Sequence, residues 1–210
     1  MKREEGTGND LTRGGGRAAA AVLLAALGAW AASCGIFEPR PPEDPTQSSL
    51  NFRPATTPEI VITNLQNAID QKSADNYLSC FSDPSKGLRP FVFIPSADAS
   101  AQYPSVMLTW NYRQEDSYFR NLIAKTSSGA FSNLSLQLDK SIIGSDSVLY
   151  TFRYTLIFEH NEPGFPRTAK GTLQFTLGPD ASNIWYIHRW IDFQTENTIS
   201  WSMFKGKFSN

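Results

Sequence analysis

Apolar and polar residues alternate with period two along three runs in the second half of the chain, and this pattern restricts that half to strands with one covered face. Leu134, Leu136 and Leu138 alternate with Ser135, Gln137 and Asp139. Val148, Tyr150, Phe152, Tyr154, Leu156 and Phe158 alternate with mostly polar neighbours, and Leu173, Phe175 and Leu177 alternate with Thr172, Gln174 and Thr176. Gly144-Ser145-Asp146, Asn161-Glu162-Pro163-Gly164 and Gly178-Pro179-Asp180 supply the turns. A fourth run, Ile184 to Gln194, is bulky on both faces, with Trp185, Ile187, Ile191 and Phe193 on one and Tyr186, His188 and Trp190 on the other. Two apolar faces predict a central strand.

The first half reads as helices. Thr57-Pro58-Glu59 places a cap, a proline at the first helical position and an acid in the first turn. Val61, Ile62, Leu65, Ala68 and Ile69 then recur at helical spacing. Ser73 caps a second, short helix carrying Tyr77, Leu78 and Phe81, and Asp83-Pro84 with Lys86-Gly87 end it. Phe91 to Ile94 is a short buried strand stopped by Pro95; a polar loop follows, then a helix from about Leu108 to Lys125.

Three N-terminal helices packed on a strongly curved, mainly antiparallel sheet make an α+β domain over residues 57–195. This element order resembles the nuclear transport factor 2-like (SnoaL-like) cone, in which a bent sheet wraps a long helix. The resemblance rests on the order, on the short strand Phe91–Ile94 between helices and on Trp185-Tyr186-Ile187-His188-Arg189-Trp190-Ile191-Asp192 as the closing strand. It implies isomerases, dehydratases, cyclases or non-enzymatic binding and dimerisation modules, so fold alone does not select a function.

The candidate chemistry is sparse. His188 and Asp192, four apart on one strand, fall on one face about 13 Å apart at about 3.3 Å per residue. The resemblance implies an acid or base inside the cone, where burial tunes its pKa. His160 falls at a turn rim, where solvation is expected. Two histidines without a carboxylate cluster give no metal site, and no cofactor is expected. Gly14-Gly15-Gly16 lies in the leader, and no Gly-x-Ser-x-Gly nucleophile motif occurs. Phe91, Phe93, Trp110, Tyr112, Trp185 and Trp190 either line a pocket for an apolar ligand or form plain core. The apolar tail Ile199 to Phe204, within a C-terminal segment 196–210, either covers the cone mouth or pairs with a second copy.

The N-terminal third concerns location. Lys2, Arg3, Arg13 and Arg17 precede an uncharged apolar run, Ala18 to Trp30, shorter than the about 20 residues that span a bilayer. Ala31-Ala32-Ser33 before Cys34 resembles a bacterial lipobox, with Ala31 where leucine is preferred. The resemblance implies a signal peptide over 1–33, a lipidated Cys34 and permanent membrane attachment by several acyl chains. Gly35, where an inner-membrane retention signal places Asp, implies the outer membrane. The alternative is ordinary cleavage after Ala29-Trp30-Ala31 and a Cys34–Cys80 disulfide; with Cys34 lipidated, Cys80 is a small buried hydrophobe. Residues 34–56 read as an extended tether containing Pro39, Pro41, Pro42, Pro45 and Pro54.

Removing residues 1–33 removes four of the 19 Lys/Arg and three of the 20 Asp/Glu, leaving a formal charge of −2. That balance gives no reason to expect nucleic acid as a partner. The sequence reads as a non-catalytic, membrane-anchored envelope lipoprotein that binds a small apolar ligand or a protein, with a homodimer through the sheet also open. The alternatives are an isomerase or dehydratase using Asp192 or His188, and a structural envelope component.

Overall fold

The computed structural model describes residues 51–195 and 197–209. Cys34, the leader and most of the tether therefore lie outside the described residues. Among those described, no helix is long and apolar enough to cross a membrane.

Two helices open the fold, α1 (Pro58–Asp70) and α2 (Ala74–Leu78). Thr57 occupies the cap position of α1 with Pro58 behind it, and the Ser73 hydroxyl of α2 accepts from the Asn76 amide at 3.4 Å. α1 buries Val61, Ile62, Leu65, Ala68 and Ile69, the stripe that its spacing predicts. Strand β1 (Val92–Ile94) follows. The stretch expected to be a polar loop contains two short helices, α3 (Ala97–Gln102) and α4 (Pro104–Met107). The long helix α5 runs from Tyr112 to Ala124, four residues later than its apolar pattern suggested. Asn111 sets that start, since its side chain accepts from the Arg113 amide at 2.9 Å. Leu108 is left 86 % exposed.

Strands β2 (Ser132–Ile143), β3 (Val148–Phe158), β4 (Thr168–Pro179) and β5 (Trp185–Gln194) complete one sheet in the order β1-β5-β4-β3-β2. All pairs are antiparallel except β1 with β5. β5, which its two bulky faces predict to be central, lies inside the sheet but next to the short edge strand β1; the middle position belongs to β4. Register shifts between Leu138 and Lys140, and between Thr176 and Leu177, bend the sheet.

The second shift changes the chemistry of β5. Leu177 pairs with Ile187 and Thr176 with Arg189, so His188 is an extra residue. Parity flips at that bulge: Ile187 is buried before it, and Trp190 and Asp192 after it. His188 and Asp192 therefore do not share a face, contrary to the even spacing of the sequence. Strict alternation fails where one residue is unpaired.

The C-terminal segment is part of the core rather than a tail. Trp201–Lys207 forms α6, whose Ser200 cap accepts from the Met203 amide at 3.3 Å. Trp201, Phe204 and Lys205 are each fully buried. The last residues of the expected tether also dock: Asn64 bonds both the amide and the carbonyl of Arg53, and the Ala55 carbonyl accepts from the Trp185 amide at 2.7 Å. Phe52 packs against the core.

Candidate functional site

Phe93 of β1, Tyr118 of α5 and Trp190 of β5 enclose the interior of the fold. It is occupied by α6. Three charged groups meet there, Glu115 of α5, Asp192 of β5 and Lys205 of α6, all at most 1 % exposed.

Glu115 accepts from the Tyr77 hydroxyl at 2.5 Å and from the Trp110 indole N–H at 2.8 Å, and pairs with Lys205. Asp192 accepts from the Ser202 amide at 2.7 Å, the Ser202 hydroxyl at 2.5 Å and the Tyr154 hydroxyl at 2.9 Å. Tyr154 in turn accepts from the Trp201 amide at 2.7 Å, and the Trp201 indole donates to the Tyr118 hydroxyl at 2.9 Å. Ser96 joins the same network: its amide donates to the Ser202 hydroxyl, and its hydroxyl lies 2.7 Å from that of Ser200. Such mutual satisfaction is what buried polar groups require.

Burial sets the protonation energetics. Desolvation raises the Asp192 pKa above the usual carboxylate range, against the lowering by its Ser202 and Tyr154 hydrogen bonds. Desolvation lowers Lys205 to about 8, opposed by Glu115. Tyr77, Tyr118 and Tyr154 are pushed well up, burial first and the nearby carboxylates second. These hydroxyls stay protonated; Tyr77 and Tyr154 donate to Glu115 and Asp192, whereas Tyr118 accepts from the Trp201 indole.

The other sequence candidates are scattered. His188 lies away from the interior, beside Arg89 and Gly178, and desolvation followed by Arg89 lowers its pKa. His160 is not solvated at a turn rim; it is fully buried against Phe165, Phe204 and Phe208. The loop residues 161–167 fold back over it, with Nε2 3.0 Å from the Pro166 carbonyl and Nδ1 accepting from the Glu162 amide at 3.2 Å. Of the aromatic set, Phe93, Trp110 and Trp190 surround Lys205. Phe91 and Tyr112 instead line an outer groove of about 520 Å³ with Asp83, Pro90 and Arg113. Tyr112 also borders a second groove of about 280 Å³ with Phe52, Pro54, Leu78 and Tyr186. Trp185 is half-buried at the start of β5. Cys80 is buried, its thiol donating to the Asn76 carbonyl at 3.4 Å, and desolvation raises its pKa. Among the described residues, no group of three or more His, Cys, Asp or Glu side chains is arranged to hold a metal ion.

Sequence reasoning missed Glu115, Lys205, Ser202 and Tyr154. One signal was available: Glu115 falls on the buried stripe of α5 with Tyr118, Phe119 and Leu122. A lone acid on an apolar face asks for a buried partner.

No family model matches the sequence, and no curated protein matches it. Solved structures do resemble the fold. A conserved protein from Planctomyces limnophilus superposes with a TM-score of 0.50 at 10 % identity, over 64 % of this chain and 91 % of its own. A candidate aromatic ring hydroxylase from Novosphingobium aromaticivorans gives 0.49 at 14 % identity, over 70 % and 92 %. A ketosteroid isomerase-like protein from Erwinia carotovora gives 0.46 at 9 % identity, over 66 % and 93 %. At these identities the likeness is one of fold alone. The helices-first order, the mixed five-stranded sheet and the enclosed interior make this an α+β protein of cone-shaped fold, similar to those structures in fold alone.

Proposed function

We propose that the chain is a lipid-anchored, non-catalytic binding protein of the bacterial cell envelope, and that it receives its partner on the outside of the cone. One observation carries the second part: every carboxylate inside the cone is engaged by the chain's own residues, Glu115 by Lys205 and Asp192 by Ser202. An acid–base catalyst needs a group within reach of a bound substrate. Asp192 is spent on holding α6, and a filled interior favours a protein partner over a small apolar ligand. The two outer grooves meet at Tyr112 and are lined by Tyr186, Pro54, Pro90 and Phe91, surfaces suited to an extended peptide segment. A second copy is the competing occupant, favoured by the exposed Leu138, Ile142 and Ile143 on the edge strand β2.

The anchoring is tested by intact mass after expression in a bacterial host, with Cys34→Ser as control. A chain beginning at Cys34 and carrying acyl groups, lost in the variant, supports the anchor; an unmodified chain beginning elsewhere overturns it. Isomerase or dehydratase turnover abolished by Asp192→Asn in a variant that stays folded would overturn the non-catalytic reading.

A further inference from the structure

The surroundings of Lys205 are those of a ligand site. Its Nζ lies 3.8 Å from the Trp190 ring centroid, 4.5 Å from Phe93, 5.1 Å from Tyr118 and 5.2 Å from Trp110. Glu115 supplies the carboxylate that pairs with it, and Asp192 adds a second negative charge nearby. None of these six side chains is more than 6 % exposed. Four aromatic faces and a counter-charge in a dry enclosure form the arrangement that recognises organic ammonium ions, because each ring turns its negative face to the cation. The Trp190 ring is the nearest to Nζ, and its buried indole N–H has no hydrogen-bond partner.

The cage rings stand outside the helix that carries Lys205, although Trp201 of that helix packs on Trp190 at 4.6 Å between centroids and bonds the Tyr118 hydroxyl. The four rings come from β1, from the segment before α5, from α5 itself and from β5. They touch one another directly: Phe93 and Trp190 centroids are 5.3 Å apart, Phe93 and Trp110 5.7 Å, and Trp110 and Tyr118 6.1 Å. Tyr77 and Trp110 fix Glu115 without help from Lys205. α6, by contrast, is the last element described and follows the sheet through one connection.

We propose that Trp190, Phe93, Tyr118, Trp110 and Glu115 form a binding site for a protonated alkylamine, filled in this conformation by the chain's own Lys205. The lysine is a tethered occupant, so its effective concentration excludes free amines while α6 is docked. The ligand class is a primary ammonium on a short unbranched apolar stem, the shape that Lys205 presents. The inference stands whether or not the chain is lipid-anchored.

The test replaces the occupant. In Lys205→Ala, propylammonium supplies the atoms missing from Cγ to Nζ. Thermal unfolding of the mature chain is followed with propylammonium chloride, with sodium chloride at the same ionic strength, and with 1-propanol. The expected result is a saturable rise in Tm of the variant with propylammonium alone, absent in the unmodified chain and lost in Lys205→Ala/Glu115→Gln. No rise, or an equal rise with propanol or in the unmodified chain, overturns the proposal. If Lys205→Ala does not fold unaided, the same comparison is read as recovery of folded protein on refolding. Recovery only with propylammonium supports the site; equal recovery with propanol, or none with either, overturns it.

Discussion

Lys205 and Glu115, 90 residues apart in the sequence, form an ion pair in which neither side chain is exposed. Taking two charges out of water costs several kcal/mol per ion, and their attraction offsets this only with good geometry and further hydrogen bonds. Here Tyr77 and Trp110 provide those bonds to the carboxylate, and four rings solvate the ammonium. The pair fixes where α6 sits.

Breaking the pair on one side should therefore cost more than removing it. Glu115→Gln or Lys205→Met alone is expected to destabilise by about 3–5 kcal/mol, the cost of a buried charge left alone. Glu115→Gln/Lys205→Met together should recover much of that loss. Urea midpoints decide it; strictly additive single effects would mean that the two groups do not depend on each other.

Asp192 is a structural acceptor, so Asp192→Asn should weaken the docking of α6. The amide turns a donor toward Ser202 or Tyr154, both already donors to this site. A loss of about 1.5–3 kcal/mol is expected, the range for hydrogen bonds to a charged group. Trp201 fluorescence should shift with it, since the Trp201 amide bonds to Tyr154. A variant of unchanged stability would release Asp192 from this role.

Gly171 on β4 keeps Tyr154 in place. A Cβ there would collide with the Phe193 backbone carbonyl and the Tyr154 ring. A carbonyl within a strand pair cannot move aside. Gly171→Ala is thus expected to lower Tm, whereas Gly129→Ala, on a turn with open space around its missing Cβ, should cost only the strain of its positive φ. Equal losses would count against the close-approach account.

Acid should loosen the end of α6 through His160. Desolvation is the main cause of its lowered pKa, and its Nδ1 is committed as an acceptor. His188 is lowered too, by desolvation first and by Arg89 and Arg189. A folded pKa below the unfolded value of 6.5 means that the unfolded chain binds the proton more readily. The stability from both histidines is then fully present above pH 6.5 and is lost as pH falls through the folded values. Tm measured from pH 7.5 to 5 should fall, and His160→Gln should flatten part of the slope; an unchanged slope would remove His160 as a source.

Much of the framework was legible locally. Tyr150, Phe152, Tyr154, Leu156 and Phe158 all face inward on β3, as their alternation requires. The α1 stripe and the Ser73 cap behave likewise. Periodicity and caps depend on backbone geometry within a few residues, so sequence by itself determined which face of these elements is covered. The site was not legible in that way. One unpaired residue at His188 reverses the parity of β5, and only pairing with β4 reveals it. Residues 199–204 read as an apolar tail because their partners, Asp192, Tyr154 and Tyr118, lie on other elements. Whether a cone is open or filled depends on which surfaces remain uncovered once the sheet has bent. Tertiary structure alone decided that, because a buried charge goes where another segment can satisfy it.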